Sequence, residues 1–104
     1  MQLFSMYLFY YLSLKMEKFV VFGVYCEDAI SKREPFREKH LTRLKNLKDR
    51  DILVTLGPTK CNKYLFGIFN ANDENELKDL IEEDIYWEKG IWIKYDIYQW
   101  VMAF

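Results

Sequence analysis

The chain has 104 residues, a hydrophobic share of 51% and a net charge of −1. That length suits one domain, the apolar share excludes wholesale disorder, and the balanced charge excludes a global field drawing the protein onto nucleic acid or a membrane. Two cysteines, Cys26 and Cys61, stand far apart in no metal or redox spacing, so reduced thiols and a cytoplasmic setting are expected.

Residues 1–15, MQLFSMYLFYYLSLK, are rich in Tyr, Phe and Leu. The run is shorter than the roughly 20 apolar residues that span a bilayer. It has no basic start and no small-residue cleavage site, so it fits a signal peptide poorly. One reading makes it an extension outside the fold, with the domain spanning 16–104. The other makes it an arm that touches a membrane or packs at an interface.

Lys18 to Cys26 is dense in Val and Phe and reads as a central strand, with Gly23 at a bulge or close approach. A helix follows. Its start is open between a Ser31–Glu34 capping box and Pro35 at the first helical position. At about 100° per residue, Phe36, His40, Leu44 and Leu47 share one arc, with Leu41 at its edge. Arg37 points into that arc, as does Arg33 if already helical. Asp49-Arg50-Asp51 ends this helix, Ile52 to Leu56 is a short strand, and Gly57-Pro58 is expected to turn it. Tyr64 to Phe69 is a third strand. Asp73 and Glu76 form a capping box for a second helix with an apolar stripe of Leu77, Leu80 and Ile81. Asp84 falls on the same stripe at the helix C-terminus, Tyr86–Lys89 finishes as a turn, and Gly90 is the stop. Ile91 to Phe104 alternates as a long final strand, with Ile91, Ile93, Tyr95 and Ile97 on one face and Trp92, Lys94, Asp96, Tyr98 and Trp100 on the other.

The order is βαββαβ, an α+β, ferredoxin-like layout: a four-stranded antiparallel sheet with two helices on one face. The other face would be left open. An apolar open face implies a partner, and two such sheets facing each other make a dimeric α+β barrel, so a homodimer is expected.

Charge is unevenly placed. Eight basic and five acidic residues lie between Asp28 and Asp51, while eight acidic residues and two lysines lie between Asp73 and Lys89. Two solvated faces explain this. RNA contact through the basic helix is a weaker reading, since no nucleic-acid motif accompanies it.

His40 and Asp84 are the polar breaks in two apolar helical stripes that cover the same side of the sheet. A carboxylate at a helix C-terminus needs a donor, and His40 or Arg37 can supply one. Such a pair fixes the imidazole tautomer, as a general base requires; a structural hydrogen bond is the plainer alternative. Arg37, with Arg33 as neighbour, suits bidentate contact with an anion, or a surface salt bridge. Thr55 and Gly57 end the second strand, where a glycine lets a ligand approach the backbone or simply makes a turn. Cys61 has no histidine in local sequence and is a weak nucleophile candidate. A lone histidine and scattered carboxylates give no metal-ligand spacing.

Arg37-Glu38-Lys39-His40-Leu41, then Leu44 and Leu47, then Ile52-Leu53-Val54-Thr55-Leu56-Gly57-Pro58, resemble the YciI-like (YCII-related) family. The likeness continues through Leu65–Phe69, the second helix and Asp84-Ile85-Tyr86, covering about residues 17–104. It implies the ferredoxin-like fold, a dimeric α+β barrel similar in architecture to muconolactone isomerases, and a His-Asp active site at His40 and Asp84. One branch of that family eliminates chloride from a chlorinated hydroxyquinol. Two positions depart from its pattern: Ile85 follows the acid where Pro is usual, and Asp51 ends the first helix where Gly is frequent. The loop after Gly57-Pro58 is also short.

The resulting expectation is a small dimer without metal or organic cofactor, which carries out elimination or isomerisation of a small anionic or aromatic metabolite. His40 is the base, Asp84 its orienter, and Arg37 an anion contact, with Arg33, Thr55 and Gly57 completing the binding wall. A non-catalytic dimer that binds a small ligand or a protein is the competing expectation.

Overall fold

The computed structural model describes residues 16–104, so the expectations for residues 1–15 lie outside the described residues. Strand β1 is Glu17–Tyr25, α1 is Ala29–Arg33, α2 is Arg37–Asp49, and β2 is Leu53–Pro58. Strand β3 is Tyr64–Ala71, α3 is Glu74–Glu82, α4 is Ile85–Glu88, and β4 is Trp92–Trp100. The sheet is antiparallel throughout, in the order β2-β3-β1-β4.

Alternation along β1 sorts the two faces. Phe19, Val21 and Tyr25 are buried beneath the helices, while Phe22 between them is 49% exposed. Leu65 and Phe69 of β3 and Leu53 of β2 join the same core, closed from above by Leu47 of α2 and by Leu77 and Ile81 of α3. Gly23 is needed at its place, because a Cβ there would lie 3.2 Å from both a Leu65 methyl and the Lys94 carbonyl. The opposite face carries Phe22, Phe66 and Tyr98, whose rings meet edge to face, together with Tyr64 and Trp100, all exposed.

The first helix departs from both expected starts. Helix begins at Ala29, with Asp28 as its N-cap but no side-chain cap bond. After five residues it tightens into a 3₁₀ turn, Glu34–Phe36, and resumes as α2. Pro35 explains the break. It sits in the first positions of the 3₁₀ turn, where its missing N–H costs nothing, but it cannot extend the preceding α-helix. Asp51 occupies the left-handed position after α2, with φ 57°. The Asp51 N–H donates to Lys48 O and the Ile52 N–H to Leu47 O, the closure glycine usually serves. Asn70 fastens this exit by donating from Nδ2 to Asp51 O at 2.8 Å.

Gly57 and Pro58 do not turn the chain. They extend β2, pairing with Phe66 and Leu65. β2 is an edge strand, so Pro58 there breaks no inner ladder. The capping box of α3 forms in altered register: Asp73 Oδ1 accepts from Glu76 N, while the Glu76 carboxylate reaches Asn72 N. The final strand stops at Trp100, and its alternation breaks early. Tyr25 pairs with Trp92 but Val24 with Lys94, so Ile93 is an extra residue. That bulge leaves Ile91 and Trp92 both buried and turns Ile93 outward.

Candidate active site

Helix α3 ends at Glu82, and Asp84 caps the next short helix rather than closing the previous one. Its Oδ1 accepts from the Tyr86 N–H at 2.9 Å. The carboxylate therefore stands at a helix N-terminus, where the peptide dipole favours it, and the expected unfavourable C-terminal placement does not arise. Ile85 fills the first position of α4, where proline would fit equally well because that N–H has no intrahelical partner.

Asp84 is fully buried. A buried carboxylate needs donors on both oxygens, and it has them. Oδ1 lies 2.8 Å from His40 Nδ1, and Oδ2 accepts from Arg43 Nη1 at 3.1 Å. Arg43 Nη2 donates to Leu80 O at 2.7 Å, tying α2 to the end of α3. Arg43 was not anticipated as a site residue. The signal was present, since it follows His40 by three residues and so shares its side of the helix.

His40 is 4% exposed in the first turn of α2. The carboxylate oxygen accepts, so the bond is read with Nδ1–H donating, and in a neutral imidazole the lone pair is then on Nε2. The ring lies flat on Tyr86, 3.7 Å between centroids and 9° between planes. Trp92 meets the edge of this stacked pair, 5.2 Å from the His40 ring and 5.7 Å from the Tyr86 ring. The β4 bulge is what brings Trp92 here, and an unbroken alternation hid it.

A cavity of about 100 Å³ opens beside His40, with Arg33, Arg37, Tyr25, Tyr86 and Gly57 in its wall. Four of the sequence candidates thus meet: His40, Arg33, Arg37 and Gly57 around the cavity, with Asp84 behind the imidazole. Thr55 does not join them. It pairs with Ile68 and stands on the far face of the sheet. Burial pushes the Tyr25 and Tyr86 phenols above their ordinary range, and Arg33 opposes this at both. The Trp92 indole N–H is near enough to Tyr25 to favour its ionised form slightly. It is still outside hydrogen-bonding geometry, and Nε1 is buried without a partner.

A larger groove of about 670 Å³ runs between the β1–α1 connection and the β2–β3 loop, lined in part by Cys26, Cys61 and Lys63. It holds no acid–base pair. Both cysteines are free thiols; the exposed Cys61 is pulled below its ordinary range, mainly by the Thr59 hydroxyl at 3.2 Å. Among the described residues no three His, Cys, Asp or Glu side chains cluster as metal ligands, and no helix is long and apolar enough to cross a membrane.

The model of the YCII-related domain matches residues 17–101. The chain belongs to the YCII-related family. Among solved structures, this YCII-related chain is similar to 5-chloro-2-hydroxyhydroquinone dehydrochlorinase from Burkholderia phenoliruptrix AC1100, in complex with 2,5-dihydroxybenzoquinone. The TM-score is 0.72 at 20% identity, covering 83% of this chain and 95% of the other. A likeness at that identity establishes a shared α+β fold. No curated protein matches the chain.

Proposed function

We propose that this YCII-related protein is a cofactor-independent acid–base catalyst, which eliminates or isomerises a small anionic or aromatic metabolite. The observation that carries the reading is the buried His40–Asp84 pair, 2.8 Å apart, beside a cavity walled by two arginines. Asp84 orients the imidazole and stabilises it when protonated. Nε2 then takes a proton from a carbon next to an electron-withdrawing group, and Arg37 and Arg33 hold the substrate's anionic end by charge-assisted hydrogen bonds. Gly57 lets the ligand lie close to the backbone of β2. Thr55, on the other face, has no part in this cavity. The similarity to a dehydrochlorinase supports elimination as one reaction of such a site.

The reading includes a homodimer formed through the open sheet face. Phe22, Phe66 and Tyr98 make an exposed aromatic cluster there, and patches of that kind mark association surfaces.

The experiment is solvent proton exchange. Small 2-oxo acids and hydroxyquinones are incubated with the protein in deuterated buffer, and exchange at carbon is followed by proton NMR. Exchange catalysed by the native protein and reduced about 10²–10⁴-fold in His40→Gln is the expected result. Equal rates in the two proteins would remove the acid–base reading and leave a ligand-binding dimer.

A further inference from the structure

The acid–base reading leaves Tyr25 without a role and gives Arg33 only a general anion contact. Arg33 Nε is buried and, among the described residues, has no partner. So is Trp92 Nε1, on a residue only 3% exposed. The Tyr25 hydroxyl makes no side-chain hydrogen bond among the described residues, yet Tyr25 and Arg33 both line the cavity beside His40. Buried donors without acceptors are uncommon, because each forfeits its hydration and gains nothing in return. Tyr25 and Arg33 line one small space, which Trp92 does not, and what they lack there is an acceptor. An oxygen atom carrying negative charge supplies it.

We propose that Tyr25 and Arg33 form an oxyanion-binding corner of the His40 cavity, and that the substrates are small carbonyl compounds that pass through an enolate. The proposal rests on reading His40 as the base. Nε2 removes a proton from the carbon next to the carbonyl. The C–H electron pair becomes a C–C double bond, and the carbonyl π pair moves onto oxygen. That oxyanion accepts from the Tyr25 O–H and the Arg33 Nε–H, donors that are already in place and need no reorganisation. Collapse of the enolate then either expels an anionic leaving group from the β-carbon or, in a β,γ-unsaturated carbonyl compound, takes the proton back from His40 at the γ-carbon as the double bond moves into conjugation. The first course is elimination and the second isomerisation; neither needs an oxidant or a second substrate. Burial keeps Tyr25 protonated and able to donate. With about 100 Å³ available, the reacting end of the substrate is compact.

Oxalate is a suitable probe, being a planar dianion that resembles an enediolate. Its binding is measured by calorimetry at constant ionic strength in native protein, Tyr25→Phe, Arg33→Lys and His40→Gln. Tyr25→Phe deletes one hydroxyl, and Arg33→Lys keeps the charge but removes Nε. Each is expected to weaken oxalate about tenfold, while His40→Gln still binds it. Unchanged affinity in Tyr25→Phe, or no millimolar binding by the native protein, overturns the corner. Should Tyr25→Phe fail to fold, the Tyr25 ring carbons of the native protein are followed by NMR as oxalate is added; they shift if the proposal is right and stay fixed if it is wrong. Proton exchange and oxalate binding fail separately. Lost exchange with intact, Tyr25-dependent binding removes only the base, whereas lost binding with intact exchange removes only the corner.

Discussion

The imidazole of His40 lies flat against the Tyr86 phenol while its Nδ1 faces Asp84 Oδ1. The same Asp84 oxygen accepts the Tyr86 backbone N–H. Ring plane and ring edge are therefore both set by one short segment, Asp84-Ile85-Tyr86, and the imidazole is held in place by the fold itself.

Removing the acid should free the ring and loosen the fold together. In Asp84→Ala, His40 and Arg43 both lose their buried partner, and unfolding free energy should fall by about 3 kcal/mol or more. Nitrogen-15 spectra of the single histidine provide a second reading. The native protein should show the Nδ1-protonated tautomer, and the variant a mixture. An unchanged tautomer would mean that Asp84 does not orient the ring.

Arg43 bridges the acid and the Leu80 carbonyl from a position 25% exposed. Arg43→Met keeps the aliphatic stem and removes the fork, so the loss is electrostatic and directional. Chemical denaturation should show a loss of about 1–3 kcal/mol, with Arg43→Lys recovering only part of it, since one ammonium cannot serve both acceptors. Full recovery by lysine would reduce Arg43 to a plain charge.

Three tyrosines, Tyr25, Tyr86 and Tyr95, ionise above the ordinary value of 10.0, chiefly because burial disfavours the phenolate. At Tyr95 the hydrogen bond to the Glu82 carboxylate adds to the effect. Raised folded-state values mean that the native state holds these protons more tightly than the unfolded chain. The stability they contribute is complete below pH 10 and is lost as pH rises through the native titrations. Phenolate absorbance should therefore grow in two steps, the later one coinciding with loss of helical circular dichroism. A single step with the native signal retained would contradict this.

Phe22 sits at the centre of the exposed aromatic cluster, within 5.3 Å of the Phe66 ring and 6.2 Å of the Tyr98 ring. Phe22→Asp should leave the circular dichroism intact and convert a dimer to a monomer in sedimentation velocity. A native protein that sediments as a monomer would refute the paired-sheet arrangement.

Much of this architecture was legible because it rests on local rules. Period-two burial in β1, the Asp73 cap and the Gly90 stop each declare themselves within a few residues. The His40–Asp84 pairing was legible for a different reason: both residues interrupt apolar stripes, and helix order places those stripes together. What escaped depends on pairing between distant strands. Nothing local to Gly57-Pro58 shows that β3 continues beside it and keeps it extended. Nothing local to Trp92 shows that Tyr25 opposes it at a bulge. Asp84 was placed on the wrong helix end because α3 and α4 follow each other with only Glu83 and Asp84 between them, and a continuous stripe conceals the break.

Asp84 caps a helix, receives Arg43 and aims His40, so a change there alters the folded chain as well as the chemistry. Arg33 and Arg37 stand on either side of the Pro35 break, Arg33 ending α1 and Arg37 opening α2, and neither is among the residues bonded to the Asp84 carboxylate. In the proposed reading the proton-handling pair is thus tied to the folded framework, whereas Arg33 or Arg37 can be replaced without removing a bond to Asp84.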